Sequence, residues 1–273
     1  MNPSFLIGII STALLMLLGI ALNIGAAPDF AVVAGFGSLA GIIITVGGTF
    51  AALLSAFPLR YFAGIPKHFA VILGIRKSNP IFYINTLSTL SEAARKNGIL
   101  ALEEAVTKLN DRFMCDAVML VVDALEPEKF RERMNIELAG IESRHTQVWG
   151  LYEKAAGLAP AFGVIGTVIG FVRMLADIGA TGIIDMTQLA GTMAFAMLAT
   201  LYGLLLANAV FLPIANQLRI AHETELLCKE IVVVGVLAIQ AGENPRAINE
   251  KLRAYLPERG RSRAVSLDKT TTE

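Results

Sequence analysis

The first 59 residues of the chain contain no lysine and no arginine, and this absence constrains the fold more than any other feature. Twelve of the 23 basic residues fall between Arg60 and Arg144, and after that segment only Lys154 and Arg173 precede Arg219. Long segments without charge are typical of helices that cross a membrane. The chain is also 55% hydrophobic and only 17% charged, whereas soluble domains carry about 25% charge, which argues against a soluble enzyme.

Four apolar segments reach the roughly 20 residues that a helix needs to cross a hydrocarbon core about 30 Å thick. They cover about 5–24, 30–57, 155–178 and 186–214. A turn at 25–29 separates the first two and a loop at 179–182 separates the last two, so the sequence predicts two helical hairpins. A cleaved signal peptide is the alternative for the first segment, but no basic residue precedes it and no polar sequence follows it.

The distribution of basic residues also predicts the orientation in the membrane. Neither short turn carries a lysine or arginine, so the positive-inside rule places 60–144, the sequence after 218 and both termini in the cytoplasm. Residues 85–97 and 99–109 show helical spacing on either side of Gly98. The apolar stretch 231–239 is too short to span a bilayer and fits the core of a domain better.

These features predict an all-α integral membrane protein with four transmembrane helices in two hairpins and a helical cytoplasmic domain. The predicted parts are a transmembrane hairpin at 1–58, a cytoplasmic helical domain at 59–145, a second hairpin with cytoplasmic extensions at 146–218, cytoplasmic C-terminal helices at 219–256 and a disordered tail at 257–273.

Side chains suited to catalysis or metal binding are scattered along the sequence. The cysteines, Cys115 and Cys228, lie far apart, and the histidines, His68, His145 and His222, lie in polar or flanking segments. We therefore expect no disulfide, no metal site and no enzymatic activity. Eleven acidic residues offset the twelve basic residues of the central segment, so nucleic acid is not an expected partner.

The predicted spans lack an ionisable residue near mid-membrane, although an ion pathway usually contains one. They offer small and hydroxyl-bearing residues instead: Gly166, Thr167 and Gly170 in the third span, Ala199 and Thr200 in the fourth. Such residues are typical of plain helix packing. If ions pass here, the carboxylate that carries them must come from another chain.

Two prolines, Pro160 and Pro213, lie toward the cytoplasmic ends of the third and fourth spans. Each removes a backbone hydrogen bond and frees a carbonyl four residues earlier. A static bend and a moving hinge are both compatible with this position.

Four stretches together resemble the flagellar motor stator A subunits, called MotA in proton-driven motors and PomA in sodium-driven ones. They are AARKNGILALEE at 93–104, LAPAFGVIGTVIG at 158–170, 199–215 with ATLYG and FLPIA at its ends, and GVLAIQAGENP at 235–245. The resemblance covers nearly the whole chain in the expected order. It implies a multi-pass protein of the bacterial cytoplasmic membrane that acts in flagellar rotation and chemotaxis.

The resemblance also implies the assembly. Five copies would form a ring around a dimer of a B subunit similar to MotB or PomB, whose single span supplies the ion-binding aspartate. Ion flow would turn the ring against the rotor switch protein FliG. The transported ion would be sodium or a proton, and no cofactor is implied.

Carried over to this sequence, the family's rotor-binding charges fall on Arg95, Lys96, Glu103 and Glu104. If the helix continued through Gly98, Arg95 and Glu103 would be about 80° apart around the helix axis and would share one side of it. By spacing alone, however, such a charged face is usually only solvated.

The same carry-over gives Pro160 and Pro213 a coupling role, and places the ion pathway at Thr167, Ala199 and Thr200. Sodium-type relatives have threonine at all three of these last positions. Since this chain has alanine at 199, the sequence leaves sodium and proton open.

Other membrane proteins are weaker matches. The related ExbB and TolQ channels, which energise envelope transport, have three spans and lack the N-terminal hairpin. A secondary transporter often contains inverted repeats and helices broken near the midplane, and neither is evident. Co-purification with a one-span partner would discriminate among these classes.

Overall fold

The computed structural model describes residues 3–22, 35–74, 79–107, 109–181 and 185–257, and most of them are helical. The helices are α1 (Pro3–Ala21), α2 (Leu39–Ala56), α3 (Leu59–Ala63), α4 (Ile65–Ile72), α5 (Pro80–Asn97), α6 (Ala101–Val106), α7 (Arg112–Val122), α8 (Pro127–Thr181), α9 (Met186–Gln240) and α10 (Pro245–Arg253). The predicted helical fold class is confirmed. The predicted turn at 25–29 and the tail from 258 onward lie outside the described residues.

Among the described helices, α2, α8 and α9 are long and apolar enough to cross a membrane. The apolar part of α1, Phe5–Ala21, is shorter. Large apolar side chains on these helices point outward, and those more than 60% exposed include Leu14, Leu15, Val172, Leu175 and Met197. Apolar surface on this scale needs lipid or another apolar chain to cover it.

The chain divides into two compact units. The first combines residues up to 76 with 146–219, and the second combines 77–145 with the residues from 220 onward. Helices α8 and α9 therefore contribute to both. Helices α3 and α4 belong to the first unit, where His68 Nδ1 lies 3.0 Å from the hydroxyl oxygen of Tyr152.

The core of the first unit combines small and aromatic residues. On α8 it includes the buried Ala155, Ala159 and Trp149, which form a cluster with Phe211 and Ile214 of α9. Small residues let helix backbones approach closely, and the resulting van der Waals packing favours helix association in an apolar solvent.

Two turns of π-helix interrupt the apolar helices, Ile43–Gly47 in α2 and Leu206–Phe211 in α9. The second ends just before Pro213, which lacks an N–H and whose ring would collide with the carbonyl of Ala209 in a regular helix. The wider π turn accommodates this defect without ending the helix. Helix α8, in contrast, continues through Pro160.

The second unit is built from α5, α6, α7 and α10 together with the start of α8 and the end of α9. Its core contains Ile231, Val232 and Val236, each almost completely buried. The apolar stretch 231–239 thus forms part of the core of this unit.

Gly98 ends α5 with a φ of +83°, a left-handed conformation that favours glycine. The next helix, α6, begins at Ala101. The continuous helix that would bring Arg95 and Glu103 onto one face is therefore not formed.

The predicted loop at 179–182 begins too early, because α8 continues to Thr181. Helix α9 starts at Met186, where Asp185 Oδ1 accepts hydrogen bonds from the backbone N–H groups of Thr187 at 2.8 Å and Gln188 at 3.4 Å. This N-cap satisfies donors that have no partner inside the helix, so it fixes the start of α9. Gly179, in contrast, is tolerated inside α8.

Candidate functional site

Helices α8 and α9 approach each other closely along a seam of small residues. A Cβ added to Gly166 would lie 2.6 Å from the Cβ of Ala199, and one added to Gly170 would lie 2.8 Å from the Cβ of Ala196. Real Cβ atoms do not approach so closely, so both positions require glycine unless the helices separate. The predicted close packing at Gly166 and Gly170 is confirmed.

Two threonine hydroxyls meet across this seam. Thr167 Oγ1 lies 2.5 Å from Thr200 Oγ1, 3.0 Å from the carbonyl oxygen of Ala196 and 3.2 Å from that of Gly163. Each hydroxyl has one proton and two lone pairs. If Thr167 donates to Ala196 and Thr200 donates to Thr167, both lone pairs of Thr200 remain able to accept a proton donor or a cation.

Ala199 lies beside this pair but faces a different way. It is 0% exposed, and its Cβ packs toward Gly166 rather than toward Thr167. Its carbonyl oxygen accepts a hydrogen bond of 3.2 Å from Thr45 Oγ1 on α2. A threonine side chain at 199 would need the space that Gly166 leaves open.

Tyr202 connects the start of α2 to α9. Its hydroxyl donates to the carbonyl of Phe36 and accepts from the backbone N–H of Ser38 at 2.9 Å. The Ser38 hydroxyl in turn caps α2 by accepting from the N–H of Gly41 at 3.2 Å. Helix α2 is therefore held against α9 within one turn of Thr200.

Pro160 lies on the same seam. A Cβ added to Gly203 would meet the Pro160 Cα at 3.1 Å and the carbonyl oxygen of Ala159 at 2.5 Å. Glycine at 203 thus permits the closest approach of α9 to the proline of α8. Pro213 lies further along α9, after the π turn.

The seam offers oxygen ligands but no formal charge. Residues 155–172 and 186–218 contain no Asp, Glu, Lys, Arg or His. Charged groups occur at the ends of the apolar segments: Asp177 Oδ2 accepts a 2.9 Å hydrogen bond from Gln188 Nε2, and Glu153 forms a 4.0 Å ion pair with Arg219. A cation that entered the seam would meet hydroxyl and carbonyl oxygens, and its counter-charge would have to come from outside this chain.

Comparison with known proteins identifies the family to which this chain belongs. Residues 105–230 match the model of the MotA/TolQ/ExbB proton channel family. Motility protein A of Treponema phagedenis is 38% identical over 222 residues, covering 81% of this chain and 84% of that protein. The chemotaxis protein PomA of Vibrio alginolyticus is 36% identical over 233 residues, covering 85% and 88%. The chain belongs to the MotA/PomA family of flagellar stator subunits.

The solved structures agree with this assignment. The flagellar MotAB stator complex from Bacillus subtilis contains a chain that matches with a TM-score of 0.82 and 28% identity, over 94% of this chain and 97% of that chain. The predicted family and its function as a flagellar stator ion channel are confirmed. The stator subunit is a multi-pass membrane protein of a channel family rather than a member of an enzyme family.

The predicted rotor-binding charges of the stator subunit lie on two successive helices. Arg95 and Lys96 occupy the last turn of α5, and Glu103 and Glu104 occupy the first turn of α6. All four side chains are exposed. Gly98 separates the two pairs, so their relative placement depends on its backbone conformation rather than on helical periodicity.

Sequence reasoning missed a pair of histidines in the second unit. His145 Nδ1 on α8 lies 3.0 Å from His222 Nδ1 on α9, so one imidazole donates to the other. Burial lowers the pKa of His222 and nearby His145 lowers it further, while the carboxylates of Glu142, Glu225 and Glu223 act in the opposite direction. The two histidines are 77 residues apart, and no local pattern could have paired them.

Sequence reasoning also missed two hydroxyls on α2. Thr45 and Thr49 are both 0% exposed, and each donates a hydrogen bond to a carbonyl oxygen. Their spacing of four residues in an apolar segment was an available signal, since it places both hydroxyls on one helix face.

Proposed function

We propose that the stator subunit crosses the bacterial cytoplasmic membrane four times, through α1, α2 and the apolar parts of α8 and α9, with both termini in the cytoplasm. The absence of lysine and arginine before Arg60 supports this topology, because it places the basic segments on one side. The apolar sequence of the first span continues beyond α1 to Ile24, which brings it to the roughly 20 residues that a crossing needs.

We further propose that five copies form a ring around a dimer of a one-span B subunit, whose aspartate carries the ion. The observation that supports this assembly best is the missing carboxylate: the seam presents Thr167 and Thr200 but no acidic side chain. The exposed apolar faces of α8 and α9 supply surface that lipid and the B subunit would cover.

In this proposal the ion passes between the partner's aspartate and the Thr167–Thr200 hydroxyl pair. A partly dehydrated sodium ion would use hydroxyl and carbonyl oxygens as ligands, whereas a proton would use the same hydroxyls as hydrogen-bond partners of the carboxylate. The transported ion is therefore sodium or a proton. Ala199 would contribute through its backbone carbonyl and its packing, not through its side chain.

Ion passage would drive rotation of the ring against the rotor switch protein FliG. One charge that crosses 100 mV releases about 2.3 kcal/mol, so several charges can supply a mechanical step. Pro160 and Pro213 would couple the ion site to the cytoplasmic unit, because each lies on a helix that contributes to both units. Arg95, Lys96, Glu103 and Glu104 would contact the rotor.

Reconstitution tests the proposed function. We expect liposomes that contain this chain together with its one-span partner to take up sodium or protons under a membrane potential, and liposomes with either chain alone to remain tight. Replacement of the partner's aspartate by asparagine should abolish uptake. Efficient conduction by this chain alone would contradict the proposal.

The ion is identified by a separate experiment. Swimming speed is measured against external sodium concentration while the proton-motive force is held fixed. A speed that rises and saturates with sodium indicates a sodium motor, and a constant speed indicates a proton motor.

A further inference from the structure

Helix α2 carries two hydroxyls that are fully buried among apolar residues. Thr45 and Thr49 are each 0% exposed, one turn apart on the same helix. A hydroxyl removed from water is costly unless it forms a hydrogen bond, so the partners of these two groups define what they do.

The two partners differ. Thr45 Oγ1 donates an interhelical hydrogen bond of 3.2 Å to the carbonyl oxygen of Ala199 on α9. Thr49 Oγ1 donates within its own helix to the carbonyl oxygen of Thr45, at 2.6 Å. Of these two hydroxyls, only that of Thr45 ties α2 to the residue next to Thr200.

The backbone brings Thr45 to this position in two ways. Thr45 lies at the centre of the π turn Ile43–Gly47, whose extra residue rotates the following side chains relative to a regular helix. Gly166 of α8 also lies against Ala199, since a Cβ added to Gly166 would lie 2.6 Å from the Cβ of Ala199 and 3.7 Å from the Ile44 side chain. Three helices therefore meet at Ala199.

We propose that Thr45 is a positioning residue for the ion pathway. By holding the Ala199 carbonyl, it fixes the rotation of α9 at Thr200 and keeps Thr200 Oγ1 in contact with Thr167 Oγ1. Thr45 does not itself contact the ion. This inference rests on the proposed function, because the position of Thr200 matters only if ions pass that hydroxyl.

The test compares Thr45→Val with Thr49→Val in the complex with the one-span partner. Valine has nearly the shape of threonine, so each variant removes one hydroxyl. We expect Thr45→Val to lower the maximal ion uptake about fivefold and to shift the ion concentration for half-maximal uptake, since an interhelical hydrogen bond in a membrane is worth about this factor. Thr45→Ser should restore both quantities, and Thr49→Val should behave like the unmodified complex.

Several results would overturn the inference. They are wild-type uptake by Thr45→Val, equal losses in Thr45→Val and Thr49→Val, and a lower maximum in Thr45→Val without a shift in ion concentration. If Thr45→Val does not assemble, Thr45→Ala is measured in the same way. Failure of both to assemble, with normal assembly of Thr45→Ser, would assign Thr45 to assembly rather than positioning.

Failure of the proposed function itself gives a different result. If the unmodified complex takes up neither sodium nor protons, the proposed function fails before any variant is compared. If the unmodified complex conducts and Thr45→Val conducts equally well, only the role of Thr45 fails.

Discussion

Ala199 and Thr200 are adjacent residues that face different parts of the molecule. Successive side chains on an α-helix are about 100° apart, so one helix can present a packing surface and a polar group within a single turn. Ala199 faces Gly166, and Thr200 faces Thr167. The missing side chain of Gly166 helps α8 come close enough for the two hydroxyls to meet.

Replacement of Thr200 by valine tests the hydroxyl pair directly. The change preserves the shape of the side chain but removes the lone pairs that are available to an ion. We expect ion uptake by the reconstituted complex to fall about tenfold, because a lost hydrogen-bonding partner costs roughly 1–2 kcal/mol. Uptake is measured as an initial rate at fixed membrane potential.

Thr192→Val is the matched control for that experiment. Thr192 lies on the same helix, and its hydroxyl lies 3.1 Å and 3.0 Å from the carbonyl oxygens of Gln188 and Leu189 in its own helix. Uptake by this variant should remain near that of the unmodified complex. Equal losses at 192 and 200 would argue against a specific role for the hydroxyl pair.

The His145–His222 contact predicts a loss of stability in acid. The pKa of His222 in the folded protein lies below the ordinary value of 6.5, so the unfolded chain binds a proton first as the pH falls through 6.5. The free energy of unfolding should therefore decrease as the pH is lowered below 6.5. We expect the melting temperature of the purified protein to fall over this range, and to fall less in His222→Gln.

A second histidine contributes to the acid effect and is measured separately, because burial also lowers the pKa of the partly buried His68. His68→Gln alters a different unit, where His68 contacts Tyr152. If the slope of melting temperature against pH is the same in the unmodified protein and in His222→Gln, His222 does not cause the acid sensitivity.

At the scale of secondary-structure elements, glycines have two different structural roles in this chain. Gly166 and Gly170 permit helix contact, whereas Gly98 ends a helix through its positive φ. The sequence spacing of Arg95 and Glu103 suggested one helical face, but the helix break at Gly98 prevents it. A glycine in a helical pattern therefore has several possible roles that only its neighbours and backbone conformation distinguish.

Gly166→Ala and Gly157→Ala form a matched pair on α8. The added methyl group at 166 would collide with Ala199, so we expect a loss of about 1–3 kcal/mol in the free energy of unfolding. At 157 an added Cβ meets no atom within 4 Å, so alanine should stabilise the helix by about 0.5–1 kcal/mol. Thermal denaturation in detergent measures both, and a Gly166→Ala protein as stable as the unmodified one would contradict the close packing.

At the scale of the whole molecule, the exposed charges of α5 and α6 are the residues that we propose to contact the rotor. We expect Arg95→Glu or Glu103→Arg to reduce torque strongly while the complex with the one-span partner keeps its mass and its ion uptake, because these side chains are exposed and far in sequence from the apolar seam. Torque is measured from tethered-cell rotation, and mass from the purified complex.

Arg112→Glu serves as the control for charge reversal. Arg112 is an exposed arginine in the same unit, and it pairs with Asp116 one helical turn away at 3.6 Å. Reversal there should leave torque nearly unchanged, since an exposed ion pair of this type contributes little. Disassembly of the complex on reversal at 95 or 103 would contradict a rotor-binding role.

Much of the architecture follows from local sequence. The long charge-free segments predict the apolar helices, and the lone run at 231–239 is short enough to exclude a further span. Helix ends were less predictable, because capping by Asp185 and the tolerance of Gly179 inside α8 set the actual boundaries. The two π turns had no clear sequence signal other than the proline that follows one of them.

The sequence by itself determined which segments are apolar, which residues can form hydrogen bonds inside them, and that no carboxylate lies between 155 and 172 or between 186 and 218. These properties depend on composition along the chain. The tertiary structure decided that Thr167 meets Thr200, that Ala199 faces Gly166, and that Thr45 reaches the Ala199 carbonyl. These contacts join residues distant in sequence, and helical periodicity alone does not fix how one helix is rotated against another.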